Sequence, residues 1–217
     1  MKLLLTSGGI SNKTIAESLF DLAGKASEKT DIVFVPTASN IENGDKTWLI
    51  NDLTNLKRQG FRSIDIADIS AVPENIWRPK FESADVLFFE GGDTYYLMEW
   101  IRKSGLASLL LSFLGDKVYV GASAGSMVAC KNLSAKISQI VYGDDFDKED
   151  VPALGLVDFY FLPHLNSPYF INRNEKHMKE ALGMLDEKIY ALDDQSALKI
   201  VDDEMEVVGE GKWLEIN

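Results

Sequence analysis

A serine between two glycines, Gly121-Ala122-Ser123-Ala124-Gly125, is the segment of this chain with the plainest chemical content. It follows the apolar run Val118-Tyr119-Val120 and leads into a helical pattern through Met127 and Val128. Gly-x-Ser-x-Gly between a buried strand and a helix is the context of a nucleophile elbow. Such a turn must hold the hydroxyl clear of the backbone, and the flanking glycines remove side chains that would collide across it. The helix that follows aims free N–H groups and a positive dipole end at a developing anion. The same residues would also suit a plain small-residue turn or a phosphate cradle, so a proton acceptor must separate these readings.

The chain offers two histidines as that acceptor, His164 and His177. His177 lies inside the amphipathic pattern around Met178 and Ala181 and reads most simply as a helix-surface residue. His164 follows an apolar run and a proline in Phe161-Leu162-Pro163-His164, the kind of strand-end loop where parallel α/β folds carry functional groups. It is the better base for Ser123, its bland alternative being a hydrogen-bonded loop histidine. An acyl-transfer site also needs backbone donors for an oxyanion. One is the N–H after the nucleophile, that of Ala124. A second is expected in Glu90-Gly91-Gly92-Asp93, which follows another apolar run; Asp93 also reads as a helix N-cap there.

The elements that must position these groups are legible as alternating patterns. Leu3-Leu4-Leu5, Ile32-Val33-Phe34-Val35, Val86-Leu87-Phe88-Phe89 and Val118-Tyr119-Val120 are continuously apolar, as strands covered on both faces are. Between them, Ile15, Leu19 and Leu22 share one helical face, with Gly24 as C-cap. Leu49, Leu53 and Leu56 repeat the spacing between Asp45, an N-cap, and Gly60, a stop. Leu97, Trp100 and Ile101 do so after Asp93-Thr94. Strand, helix, strand, helix implies right-handed crossovers and a three-layer α/β sandwich with a mostly parallel sheet. After about Asn132 the rhythm changes. Residues 143–150 form a charge-dense solvated loop, and Met178, Ala181, Leu182 and Leu185 mark a helix. Ile189–Leu192, Ala197–Val201 and Met205–Val208 read as strands, the last two joined as a hairpin through Asp202-Asp203.

Composition bounds the rest. The 217 residues are expected to form one domain over 1–217, with no repeat or linker. Twenty-two Lys and Arg against 34 Asp and Glu give a formal charge of -12, which disfavours nucleic acid and anionic membrane as partners. The one cysteine, Cys130, excludes an internal disulfide and reads as a buried small apolar residue within the helix after Ser123. No apolar run approaches the roughly 18 residues of a membrane span, and Gly8-Gly9 interrupts the N-terminal run too early for a signal-peptide core. A cytoplasmic location is the expectation. No metal or other cofactor is expected, since the histidines lack paired-ligand spacing.

Taken together, Val120–Gly125, the upstream Gly91-Gly92-Asp93 turn and the downstream Pro163-His164 loop resemble the peptidase E family, serine peptidases related to cyanophycinase with a fold akin to class I glutamine amidotransferases. The resemblance implies an aspartyl dipeptidase-like hydrolase with Ser123 as nucleophile, His164 as base, and Gly92 and Ala124 as oxyanion donors. Its third member is less direct. The position fifteen residues after the serine, where some members carry an acid, is Ser138, whereas the late segment Leu192-Asp193-Asp194-Gln195 supplies carboxylates. Asp194 is the favoured partner of His164, with Asp144 and Asp145 as fallbacks, and both Asp193 and Asp194 would otherwise be ordinary turn residues. Arg173, in the region matching a family arginine, would grip a substrate's aspartyl carboxylate, although a solvated arginine opening the late helix is the slightly simpler reading. The implied partner is a small peptide, taken up by a monomer or small homo-oligomer. The rivals are an esterase-type α/β hydrolase, whose histidine normally comes late in the chain, and a non-catalytic small-molecule-binding domain.

Overall fold

Four continuously apolar runs become the parallel centre of the sheet, because a strand that is buried on both faces has no polar positions to place. In the computed structural model, which describes residues 1–143 and 148–217, these are β1 (Lys2–Thr6), β2 (Asp31–Val35), β4 (Val86–Phe89) and β5 (Val118–Ala122). After β2 in the chain comes β3 (Ser63–Ile66), which lies outside β2 as a mostly exposed edge strand and whose Ser-Ile-Asp-Ile sequence lacks the apolar signature. Asp144 and Asp145 lie outside the described residues.

The chain continues through two short strands, β6 (Asn132–Leu133) and β7 (Val151–Pro152), then β8 (Tyr160–Leu162), β9 (Ile189–Leu192), β10 (Ser196–Val201), β11 (Glu204–Gly209) and β12 (Trp213–Ile216). The main sheet has the order β11-β10-β1-β5-β4-β2-β3. Its β1, β5, β4, β2 and β3 pair in parallel, while the β10–β11 hairpin adds antiparallel to β1. The hairpin turns at Asp202, as its sequence indicated. Residues 189–192 form the expected strand, and β9 pairs with β8 and β12 in a separate three-stranded sheet.

Helices cover both faces. They are α1 (Lys13–Ala23), α2 (Thr47–Arg58), α3 (Glu74–Ser83), α4 (Thr94–Lys103), α5 (Leu106–Phe113), α6 (Ala124–Met127), α7 (Ala135–Tyr142) and α8 (Glu175–Leu182). Alternate β-strand residues feed opposite layers: Leu3, Leu5, Val33, Val35, Leu87 and Phe89 enter one apolar core and Leu4, Ile32, Phe34, Val86 and Phe88 the other. Trp77 and Phe81 of α3 fill the first core; Ile15 and Leu19 of α1 and Leu56 of α2 fill the second. This is the three-layer sandwich, and full burial of such side chains contributes about 1.5–3 kcal/mol each. Among the described residues no helix is long and apolar enough to cross a membrane.

Local signals set the helix ends. Asn12 and Asp93 cap α1 and α4 by accepting the N–H of Ile15 and Tyr96. Asp45 sits one residue before the capping position of α2, yet its carboxylate still accepts the Thr47 N–H at 3.0 Å. Cys130 lies beyond α6, a single turn that ends at Met127, rather than within it; its Sγ is buried and accepts the Phe161 N–H.

The elbow between β5 and α6 leaves no room for added carbon. A Cβ on Gly125 would overlap the Phe89 carbonyl of β4, and one on Gly121 would run into the backbone of Gly125. Gly125→Ala is therefore expected to destabilise the protein by about 2–3 kcal/mol through overpacking against rigid strand backbone. Gly24→Ala, which meets nothing within 4 Å, should cost no more than its left-handed backbone strain of about 1 kcal/mol. Urea unfolding midpoints of the two variants check the difference.

Candidate active site

Ser123 occupies the reversal from β5 into α6 with φ 49° and ψ -106°, a conformation that costs an L-residue of order 1–3 kcal/mol. Hydrogen bonds on both sides enforce it. The Ser123 N–H donates to the Thr6 carbonyl at 3.0 Å, and its own carbonyl accepts from Ser126 and Met127 at 2.9 and 3.0 Å. The buried Ser126 hydroxyl adds contacts of 2.8 Å to the carbonyls of Thr6 and Gly121, tying the elbow to β1. The hydroxyl of Ser123 is left projecting toward the loop after β8.

That loop carries His164, whose Nε2 lies 2.8 Å from Ser123 Oγ. Its Nδ1 lies 2.6 Å from Asp194 Oδ1, at the turn from β9 to β10. Burial alone would push the Asp194 carboxyl up. The His164 hydrogen bond and charge, the Ser7 hydroxyl and the Arg173 charge outweigh it and hold Asp194 below its ordinary value. The neighbouring Asp193 is occupied structurally: it accepts the N–H groups of Gln195 and Lys212 and the hydroxyl of Ser196. Of the two adjacent aspartates, one builds the turn and the other faces the imidazole. His177 is remote from this chain of contacts, its Nε2 meeting the Ile140 carbonyl at 3.3 Å.

Ser7, at the end of β1, escaped sequence reasoning. Its hydroxyl donates to Asp194 Oδ1 at 2.7 Å and accepts the His164 N–H at 2.7 Å, so one side chain ties both partners together. It also fixes the backbone of His164, which has φ 65°. The only signal was its place beside Gly8-Gly9 at a strand's C-terminal end, where a lone serine is unremarkable.

Two N–H groups beside Ser123 lack acceptors among the described residues, those of Gly92 and Ala124. Gly92 has φ 129°, and a Cβ there would overlap the Ala38 carbonyl, so only glycine fits this turn. Gly91 packs directly over the serine: a Cβ there would lie 3.3 Å from Ser123 Cβ. Since α6 is one turn long, donor geometry rather than a helix dipole is what this elbow offers an anion.

Arg173 is not the solvated helix-start residue that its sequence position favoured. It closes a 3₁₀ turn (Ile171–Arg173) ahead of α8, whose N-cap is Asn174, and it is 2% exposed. Its guanidinium lies 4.2 Å from the ring centre of Phe170 and 4.7 Å from that of Tyr142, and Nη1 donates to the Pro163 carbonyl. Phe170 also stacks on the His164 ring, centroids 4.9 Å apart. The Nε of Arg173 is buried without a partner.

Ser123, His164, Asp194, Gly92 and Arg173 line one cleft of about 1080 Å³, together with Asp52 of α2 and Glu90. Burial, reinforced by the neighbouring Asp52 carboxyl, pushes the Glu90 carboxyl well above its ordinary value. Burial likewise pushes Asp52 up to about 6, with the Asp194 charge adding to the effect and a hydrogen bond to Glu90 opposing it. Two carboxyls in hydrogen-bond contact hold at least one proton.

A hydroxyl held on a strained elbow, an imidazole and a carboxylate in line, and two free N–H groups define a hydrolase of the serine type on a doubly covered α/β sheet. The family model of Peptidase family S51 matches residues 3–208, and the chain belongs to that family. An uncharacterized peptidase of Pasteurella multocida is 30% identical over 167 residues, covering 75% of this chain and 77% of the relative. A Streptomyces coelicolor protein named Peptidase E is 28% identical over 138 residues, 60% of this chain and 55% of that one. A crystal structure from Listeria monocytogenes, described as that of a candidate peptidase E, superposes with TM-score 0.75 at 23% identity over 97% of this chain and 98% of that one. The resemblance to the peptidase E family is borne out, and the protein is a serine-type peptidase.

The carboxyl pair gives stability a pH signature. A carboxyl whose folded pKa is raised contributes stability below its unfolded pKa that is lost as pH climbs through the folded value. Glu90→Gln removes that loss. The variant should melt no higher than the parent near about pH 4.5 and distinctly higher near about pH 8. A melting difference that stays constant over this range would mean that the Glu90 proton is not held by burial.

Proposed function

We propose that this peptidase hydrolyses short peptides with an N-terminal aspartyl residue through a Ser123–His164–Asp194 triad. The observation that carries the reading is the unbroken line from Ser123 Oγ through the His164 ring to Asp194, at 2.8 and 2.6 Å. In the first half-reaction His164 Nε2 takes the hydroxyl proton as Ser123 Oγ bonds to the peptide carbonyl carbon. The resulting oxyanion is met by the N–H groups of Gly92 and Ala124. His164 then gives its proton to the leaving nitrogen, the C–N bond breaks, and an acyl-enzyme remains. Water, deprotonated by the same imidazole, adds to the ester carbonyl; the C–Oγ bond then breaks, His164 returns the proton to Ser123 Oγ, and the acid leaves. Asp194 orients His164 and stabilises the imidazolium without taking its proton.

Arg173 supports the aspartyl preference. A guanidinium pinned between two rings cannot follow a misplaced ligand, and its buried, unpartnered Nε asks for an acceptor. A side-chain carboxylate that accepts from such a planar fork gains a two-pronged, charge-assisted contact. The exposed rim of the cleft at Tyr169 is compatible with a short peptide lying across it.

Two measurements test the reading. A fluorophosphonate probe should modify Ser123, and Ser123→Ala should abolish both labelling and release of aspartate from aspartyl dipeptides, with a fall in kcat of about 10³-fold or more. Turnover of short-chain esters with aspartyl dipeptides left intact would favour the esterase instead; an unlabelled, inactive protein would be a binding domain. Arg173→Lys should keep the charge but lose the fork, lowering kcat/KM on aspartyl substrates by about 10- to 100-fold, the ~1.5–3 kcal/mol of hydrogen bonds to a charged group. Equal loss on substrates with an uncharged first residue would remove Arg173 from the specificity pocket.

A further inference from the structure

Six carboxyl groups among the described residues line the cleft, and four of them have other work or lie at its rim. Asp93 caps α4, Asp45 binds Thr47, Asp194 holds His164, and Glu42 is exposed. Asp52 and Glu90 remain. No nitrogen or hydroxyl donor of the described chain reaches Asp52, and Glu90 Oε2 is buried without one. Asp52 lies over the turn after β1, where a Cβ on Gly9 would come within 2.9 Å of its Oδ1. Glu90 precedes the glycine that packs on Ser123. The one cation lining the cleft among the described residues is Arg173. Glu90 accepts the Gly91 N–H and shares a hydrogen bond with Asp52, but no cation of the described residues acts on either carboxyl, so the pair's remaining negative charge is an unfilled counter-charge inside the cleft.

We propose that Asp52, backed by Glu90, is the seat of the substrate's α-ammonium group, making the cleft selective for peptides with a free N-terminus. This deepens the aspartyl-peptidase reading and rests on it. An N-terminal aspartyl residue carries an ammonium and a side-chain carboxylate close to the scissile carbonyl. The cleft offers one guanidinium and one acidic pair with the opposite signs. Glu90, buried deeper, keeps its proton and donates it to Asp52, so the negative charge sits on the carboxylate nearer solvent. The pair thereby presents one anionic oxygen set and a donor that orients it, which suits a compact, strongly hydrated ammonium.

The test uses two substrates that differ only in the ammonium: aspartyl p-nitroanilide and succinyl p-nitroanilide, the desamino analogue. The unmodified protein should prefer the aspartyl compound by about 10- to 100-fold in kcat/KM, the range for a hydrogen bond to a charged group. Asp52→Asn should erase most of that preference by raising KM for the aspartyl compound alone. Glu90→Gln, which leaves Asp52 ionised and still offers it a donor, should retain the preference. Equal rates on the two compounds, or a loss in Asp52→Asn shared by both, would overturn the assignment. Leucyl p-nitroanilide and its desamino counterpart separate the two readings. An ammonium preference there that Asp52→Asn removes, with aspartyl compounds uncleaved, would refute the aspartyl specificity and leave the ammonium site standing.

Discussion

The site depends on one backbone constraint: the chain must reverse at Ser123 within a single residue, at a positive φ, between a buried strand and a helix only one turn long. Neither glycine two residues from Ser123 can bear a side chain, because β4 runs against Gly125 and the turn folds back on Gly121. The strain is overdetermined by hydrogen bonds: the Ser123 N–H donates to the Thr6 carbonyl, and the Ser123 carbonyl accepts from Ser126 and Met127. A side chain held this way needs no reorganisation to meet the His164 imidazole, 2.8 Å away.

Around that reversal, the functional groups come from strand ends that are far apart in sequence. β1 contributes Ser7, the loop after β4 contributes Glu90, Gly91 and Gly92, β5 ends in Ser123, and the loops after β8 and β9 contribute His164 and Asp194. Three of these strands adjoin in the main sheet, while β8 and β9 belong to the separate one. The Ser7 hydroxyl joins the two layers, since it bonds residues of both loops. His164 and Asp194 are thus referenced to the same strand β1 that anchors the elbow through Thr6.

Electrostatically the cleft is uneven. Asp194 is held below its ordinary carboxylate value by a histidine, a hydroxyl and a guanidinium, while Asp52 and Glu90 are held above theirs by burial. Carboxyls of one chemical type are driven apart by environment, so that one stays anionic beside the imidazole and another keeps a proton. Against these carboxyls Arg173 supplies one positive point in the cleft, walled in by Phe170 and Tyr142.

Much of this was legible in the residues. Short continuous apolar runs alternating with amphipathic stretches fit doubly buried strands, so β1, β2, β4 and β5 were readable, as were the elbow at Ser123 and the choice of His164 over His177. The exposed β3 was not, because an edge strand with polar positions has no distinctive pattern, and neither was the assignment of β9 to a second sheet. What tertiary structure alone decided was which of two adjacent aspartates faces the histidine, whether Arg173 is wet or buried, and that Ser7 and the Asp52–Glu90 pair belong to the site. Local sequence carries periodicity and turn chemistry, which act over a few residues. Partners separated by 30 to 187 residues are chosen by the packing of whole layers, and no short-range signal records that choice.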